Sequence, residues 1–135
     1  MPVGTVSIDS WEAARIAVAG VEEVRRRELQ SACICVRSRD GVKATLTIGS
    51  FCEPSTKEAE DLAEEVMKTG HSSPPSGHTT DEISEGFRIL SKDEGGEFMG
   101  AIAFSTPCDV GSDRGMPHAI CRHAVKSLSQ DLAIG

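Results

Sequence analysis

The chain is poor in aromatic residues and contains no long apolar segment. Its 135 residues include no tyrosine, one tryptophan and four phenylalanines, so a core must be built mainly from aliphatic side chains. No run of 18 apolar residues occurs, which argues against a membrane-spanning helix. Residues 1–6 lack the basic and apolar stretches of a secretory signal. We therefore expect one domain, residues 1–135, in the cytoplasm.

Positive charge is also scarce. Lys and Arg number 14 against 21 Asp and Glu, which gives a net charge of −7. Between Glu53 and Glu65 there are six acidic residues and a single lysine, Lys57. Such a surface repels phosphate backbones, so we predict no nucleic-acid partner. The sequence also has no nucleophile elbow, phosphate-binding loop, metalloprotease motif or dinucleotide fingerprint, which favours a protein without catalytic activity.

The cysteines predict reduced thiols. Their number is odd, and no two stand in a Cys-x-x-Cys pair. Cys33 and Cys35 share one face of a predicted strand, where small buried residues are the usual interpretation. The five positions are Cys33, Cys35, Cys52, Cys108 and Cys121.

Three helices are predicted from capping signals and apolar periodicity. Asp9–Glu12 fits a capping box that opens a helix over Trp11–Leu29, and Ser55–Glu58 fits another that opens a helix over Thr56–Thr69. A third helix starts at Pro117, a residue suited to the first helical position. The apolar stripe of the first helix is Trp11, Ala14, Ala17, Val18, Val21 and Val24. The stripe of the third is His118, Cys121, Val125, Leu128 and Leu132.

Four strands alternate with these helices in pairs. The strands are 32–37, 42–49, 87–90 and 98–105. Asp40-Gly41 predicts a tight turn between the first two, and a short helical turn is expected at Asp81–Glu85, after a Ser/Pro-rich loop. The order α-β-β-α-β-β-α predicts an α+β fold, in which helices flank an antiparallel sheet of at least four strands. This layout is of the profilin-like or GAF-like kind.

The strand from Phe98 to Ser105 and the loop after it form the candidate ligand site. Gly100 interrupts the apolar strand, as glycine does where a bulge forms or where another backbone or a ligand comes close. The loop leads to the N-terminus of the predicted third helix, where unpaired N–H groups attract anions. The candidate ligand-binding residues are Gly100, Ser105, Thr106, Cys108, Asp113, Arg114, His118 and Arg122.

Histidines and cysteines supply the candidate chemistry. His118 lies three residues before Cys121 and four before Arg122 on the predicted third helix, so these side chains are expected to share a face. A histidine and a cysteine at that spacing suit zinc or an axial haem site. Cys108 lies beside a helix N-terminus, which lowers a thiol pKa and makes it the candidate reactive thiol. Ser112 or Asp113 are alternatively simple helix caps.

The segment Gly96–Ser105 resembles a motif of the small haem-binding HbpS/GlcG-like family, which includes the C-terminal domains of PduO-type proteins. The motif, d-G-x-x-V-G-A-I-G-V-S-G, aligns without a gap, and Asp113 falls where the family has a later Asp. Ala103 replaces a family glycine, and Ser105-Thr106 replaces its Ser-Gly. An alanine-rich leading helix and a strand that ends in Asp40-Gly41 are also similar to the family pattern.

The resemblance implies a profilin-like α+β fold, self-association and, in some members, binding of haem or a corrinoid such as cobalamin. A tetrapyrrole site needs an apolar slot, cations for the propionates and often an axial ligand. Candidate metal ligands are then His118 and His78, with Cys108 as a further one, and Arg114 or Arg122 are the propionate partners. We expect the slot between the sheet and the last helix.

Three functions follow from these observations. The first is a non-catalytic protein that binds a small ligand or serves as an accessory protein. The second is a thiol-dependent redox enzyme or sensor of GAF-like architecture, in which Cys108 acts with Cys121 or Cys52. The third is a homo-oligomeric subunit for protein interaction, because a chain with so few aromatic core residues gains from burial by self-association.

Overall fold

The computed structural model describes residues 8–28, 31–49, 53–72, 82–91, 97–107 and 115–135. They form three helices and five strands in the order α-β-β-α-β-β-α-β. The elements are α1 (Ser10–Arg26), β1 (Ala32–Ser38), β2 (Lys43–Ile48), α2 (Glu53–Thr69), β3 (Glu82–Ser91), β4 (Glu97–Pro107), α3 (Met116–Leu128) and β5 (Leu132–Ile134). The strands pair antiparallel in the spatial order β2-β1-β4-β3-β5. The predicted α+β fold is therefore confirmed.

Local signals in the sequence set several boundaries of these elements. The Asp9 side chain accepts a hydrogen bond from the Glu12 N–H at 2.8 Å, and the Glu12 carboxylate accepts one from the Asp9 N–H at 3.2 Å. This reciprocal pair is the predicted capping box of α1. Gly41 in the β1–β2 turn and Gly70 after α2 have φ values of 90° and 73°, which favour glycine.

The sheet separates two cores of different side-chain size. Helices α1 and α3 cover one face of the sheet. The strand residues on this face are large, and Ile34, Ile102 and Phe104 among them are fully buried. Helix α2 covers the other face. There the buried residues are mostly small, namely Cys33, Cys35, Ala59, Ala63, Val66, Ala101 and Ala103. Small facing residues allow a helix to approach a sheet closely, and the predicted core role of Cys33 and Cys35 is confirmed.

Gly100 lies where the backbones of β1 and β4 approach each other closely. A Cβ at this position would collide with the Arg37 carbonyl oxygen of β1 and approach the Ser38 Cα within 3.1 Å. On the other side of β4 the register shifts, so that Ile89 pairs with Gly100 and the next residue of β3 pairs with Phe98. The strand glycine therefore marks both a close backbone approach and a bulge, as expected.

Several predicted elements differ from the structure. Helix α2 begins at Glu53, so Ser55–Glu58 lies within its first turns and does not cap it. The helical turn predicted at Asp81–Glu85 is wrong, because residues from Glu82 onward are extended and pair with β4. Leu132 continues the helical spacing of α3 but belongs to β5, where Leu132 pairs with Ser91. Helix α1 ends at Arg26, short of the prediction.

Within the described ranges, no helix combines the length and the apolar character that crossing a bilayer requires.

Candidate functional site

The outer face of α3 carries a groove rich in nitrogen-bearing side chains, which we call the α3 groove. It has a volume of about 460 Å³. Its lining residues are His118, Ala119, Arg122, His123, Lys126 and Gln130. His118, Arg122 and Lys126 recur every four residues and so lie along one side of the helix. The chain thus concentrates imidazole and cationic groups on one surface although its net charge is −7.

The packing of α3 explains why these groups face outward. Its opposite side is filled with apolar residues that lie against the sheet and α1. These buried residues are Met116, Pro117, Ile120, Cys121, Ala124 and Val125. The slot that we expected between the sheet and the last helix is therefore occupied by core side chains, and the open volume lies on the solvent side of α3.

The His118 imidazole packs against the edge of the sheet. Its ring meets that of Phe87 on β3 edge to face, with centroids 5.5 Å apart and an interplanar angle of 81°. Phe87 is buried whereas His118 remains exposed, so the contact supports one side of an imidazole that stays accessible. An edge-to-face contact of this kind favours one orientation of the imidazole ring.

The nitrogen-bearing side chains of the groove differ in whether a carboxylate lies near them. His123 Nε2 lies 4.0 Å from Oε1 of Glu23 on α1, and the other oxygen of Glu23 accepts a hydrogen bond of 3.0 Å from Arg27 Nε. Lys126 donates to the Gln130 carbonyl at 3.3 Å. No carboxylate pairs with Arg122 within the ranges that the structure covers. Within the α3 groove, Arg122 is thus a cation available to an incoming anion.

The predicted site residues of β4 form hydrogen bonds within the fold. The Ser105 Oγ lies 2.8 Å from the Ser84 Oγ in a buried hydroxyl pair. The Thr106 hydroxyl donates to the Ser31 carbonyl at 2.6 Å, which fastens the end of β4 to the start of β1. Together with Gly100, these residues stabilise the sheet and lie away from the lining of the α3 groove.

His118 and Arg122 are brought together, but Cys121 is separated from them. The expectation that His118 and Cys121 share a face is wrong, because His118 is exposed and Cys121 is fully buried. Burial, with a further contribution from the nearby Glu85 carboxylate, raises the pKa of the Cys121 thiol well above its ordinary value. A thiol in this environment stays protonated, which disfavours its use as a nucleophile.

Several predicted residues lie outside the described residues, namely Cys52, His78, Cys108, Ser112, Asp113 and Arg114. The described residue that caps α3 is Gly115, which makes no side-chain capping bond. Among the described residues, no three His, Cys, Asp or Glu side chains come together as a metal-binding group.

Sequence reasoning missed His123, Lys126 and Gln130 as members of the groove. Their signal is present in the sequence, since Lys126 continues the spacing of His118 and Arg122 by one helical turn. The predicted apolar stripe drew attention to the buried side of the helix instead. Phe87 had no local signal, because its contact with His118 joins residues 31 positions apart.

A second groove lies over α1, and we call it the α1 groove. It has a volume of about 370 Å³ and is mainly apolar. Its lining residues are Trp11, Ala14, Arg15, Val18, Ala19, Glu22, Ser127 and Leu128. Trp11 and Val18 are 72% and 47% exposed, so the prediction that both belong to the core stripe is wrong. Ala17 and Val24 of that stripe are buried as predicted, together with Ala13 and Ile16, which the stripe did not include.

Glu85 is the titratable group beneath α3. It lies on β3 at the register position opposite Phe104, and it is partly buried. Desolvation raises the pKa of its carboxyl, because burial disfavours the charged form. The opposite case is Glu60 on α2, whose pKa is lowered by a hydrogen bond from Lys43.

Comparisons with known proteins identify the fold. No family model matches the sequence, and no curated protein matches it. A solved structure of a PduOC–haem complex aligns over 96% of this chain and 98% of its own, with a TM-score of 0.66 and 12% identity. A crystal structure of HbpS aligns over 95% of this chain and 94% of its own, with a TM-score of 0.54 and 13% identity. The family resemblance found in the sequence is thus confirmed as likeness of fold: the chain has the fold of PduOC and HbpS.

Proposed function

We propose that this protein is a non-catalytic haem-binding or accessory protein, with the α3 groove as its binding surface. The observation that carries the proposal is the accessible His118 imidazole beside an arginine that no described carboxylate pairs with. The haem complex of a protein with the same fold over almost the whole chain supports the choice of ligand. The two observations are independent, since one comes from this chain's side chains and the other from its backbone.

The side chains of the α3 groove supply an axial ligand and cations of the kind that a haem needs. His118 is the candidate axial ligand, because an exposed imidazole supported on one side by Phe87 is available to iron. Arg122 is the candidate partner for a propionate, and Lys126 lies one turn further along the same side. Haem, when bound, supplies an iron centre and an intense Soret absorption. In this role the protein binds and orients the haem and catalyses no reaction.

The same groove favours haem over cobalamin. Haem carries two free propionates, whereas the corrin side chains of cobalamin are amides, so cationic side chains contribute more to haem binding. Cobalamin remains a candidate through His118 alone. A parallel titration with both compounds separates the two ligands.

The test is a titration of the purified protein with haemin, followed by the Soret band and by quenching of Trp11, the single tryptophan. We expect saturation with about one haem per chain in the micromolar range or tighter. His118→Ala should abolish the shift of the Soret band. Arg122→Ala should weaken binding by about tenfold, because an ion pair to a propionate is charge-assisted.

The matched control is His71→Ala, which removes an exposed histidine near the end of α2 and leaves the α3 groove intact. It should bind haemin like the natural chain. Equal binding by His118→Ala and His71→Ala would contradict the assignment of His118. Saturable binding of cobalamin but not haemin would replace the ligand, and no binding of either would reject the proposed function.

We also propose that the protein self-associates. Trp11 and Val18 are large apolar side chains on the surface, and an exposed apolar patch is typical of an interaction site. Residence in the cytoplasm, a single domain over 1–135 and the absence of a nucleic-acid partner remain predictions from the sequence.

A further inference from the structure

The outer face of α1 combines apolar residues with two opposite charges. Trp11, Ala14 and Val18 form its apolar line, and Leu128 of α3 adds to one wall of the α1 groove. Arg15 and Glu22 are exposed on the same face, seven residues or about two helical turns apart. Neither residue forms an ion pair within the chain segments that the structure covers. Both charges are therefore available to a partner.

We propose that the α1 groove binds the α1 groove of a second copy of this chain, across a two-fold axis. This inference rests on the self-association proposed above and assigns it a surface. It does not depend on haem.

The charges on this face are self-complementary. If the two-fold axis passes between Val18 and Ala19, perpendicular to α1, residues equally distant from that midpoint face each other in the two copies. Arg15 and Glu22 are equally distant from it. Arg15 of each copy then faces Glu22 of the other, so that two ion pairs flank the Val18 side chains at the centre of the contact. A partner of different sequence would need the same spacing of opposite charges to fit as well.

Trp11 gains a contact in the same arrangement. Trp11 and Arg26 are also equally distant from the midpoint, so Arg26 of one copy lies over Trp11 of the other. The Arg26 side chain is 75% exposed and its Nε lies 3.4 Å from Glu23 Oε1. A guanidinium above an indole ring forms a cation–π contact. The arrangement thus accounts for the most exposed large apolar residue in the described part of the chain.

The size of the surface sets the expected affinity. Helix α1 has 17 residues and is about 25 Å long. One helix face buries less than the roughly 800 Å² per partner of a standard stable interface. We therefore expect a dimer that dissociates in the micromolar range, about 1–100 µM.

The test uses sedimentation velocity together with the fluorescence of Trp11, both on the protein without haem. Trp11 is the only tryptophan and no tyrosine is present, so the emission reports on the proposed interface directly. Raising the concentration from below 1 µM to above 100 µM should convert monomer to dimer, as the affinity estimate requires. The emission should move to shorter wavelength over the same range, because the dimer excludes water from the indole.

A charge exchange tests the pairing. Arg15→Glu places two like charges opposite each other and should weaken the dimer by about tenfold or more. Arg15→Glu combined with Glu22→Arg should restore it. The matched control is Lys68→Glu on α2, which makes the same change in charge on the far side of the sheet and should leave the dimer unchanged.

Three outcomes would overturn the proposal in distinguishable ways. A monomer at all concentrations contradicts both self-association and this interface. A dimer that Arg15→Glu and Lys68→Glu leave equally intact keeps self-association but rejects the α1 groove. A shielded Trp11 emission in a monomer assigns the groove to a segment of the same chain. None of these outcomes bears on haem binding, which the haemin titration tests separately.

Discussion

Helices α1 and α3 lie side by side on one face of the sheet, yet their outer surfaces differ. Both bury an apolar side against the same core, and they meet at Gly20, whose added Cβ would lie 3.5 Å from the Ala124 Cβ. The α1 groove is mainly apolar with one charge of each sign, whereas the α3 groove carries imidazole and cationic groups. This difference is why we propose a different partner for each helix, a copy of the chain for α1 and an anionic ligand for α3.

The largest effect should come from disturbing the sheet under both helices. Gly100→Ala places a Cβ against the Arg37 carbonyl of the neighbouring strand, which cannot move without parting β1 from β4. We expect a loss of about 3 kcal/mol or more in the free energy of unfolding. Both grooves should lose their function together. Urea denaturation measures the loss.

The matched control for this substitution is Gly20→Ala. There the added Cβ meets the end of the flexible Ile34 side chain, which can rotate, and the helix gains up to about 1 kcal/mol from replacing glycine. We expect a net change within about 1 kcal/mol. Equal losses for Gly100→Ala and Gly20→Ala would show that backbone proximity is not what requires Gly100.

The second largest effect should come from the residue that joins the two surfaces. Glu23 is buried on α1, accepts a hydrogen bond from Arg27 and lies near His123 of α3. Glu23→Gln removes the charge but keeps the shape. Since Arg27 is partly exposed, we expect a loss of only about 1 kcal/mol in unfolding free energy.

Glu64→Gln on the exposed side of α2 is the control, because its ion pair with Lys68 is solvated. It should cost no more than about 0.5 kcal/mol. If the two substitutions change the urea midpoint equally, Glu23 does not link the helices.

The smallest effect should be a pH-dependent change in stability caused by Glu85 of β3, which lies beneath α3. Burial raises the pKa of Glu85, so the folded state favours its protonated form. Glu85 therefore contributes stability below its ordinary pKa, and this contribution is lost as the pH rises through the raised pKa of the folded state. Glu85→Gln should accordingly be more stable than the natural chain at pH 8 and equal to it below about pH 4. Unfolding midpoints at the two pH values measure this, and a difference that persists at low pH would contradict desolvation as its cause.

The sequence allowed much of the fold to be predicted because its signals are local. The capping box at Asp9–Glu12 and the turn at Asp40-Gly41 depend on residues within one turn of each other. The strand β5 could not be predicted, because Leu132 continues the helical period and only its pairing with Ser91, far away in the chain, makes it a strand. The first residues of β3, from Glu82 to Glu85, were likewise not predicted as a strand. They include two acidic residues, and it is their pairing with β4 that holds them extended.

The candidate site was predictable in part. The spacing of His118 and Arg122 placed them together on α3, as the structure has them. Which residues of α1 face the sheet was predictable only in part. Ala17 and Val24 of the predicted stripe are buried, whereas Trp11 and Val18 are exposed. The small side chains pack against the sheet and α3, which leaves Trp11 outside. Close packing is decided by contacts between α1 and its neighbouring elements, so the sequence of α1 alone does not show it.

The most direct test of two separate surfaces is sedimentation velocity recorded at the Soret band and at 280 nm, with haemin added. We expect haem to sediment with a dimer of the natural chain and with a monomer of the Arg15→Glu variant. His118→Ala should sediment as a dimer without haem. Loss of haem from Arg15→Glu, or retention of haem by His118→Ala, would contradict the assignment of ligand and partner to different helices.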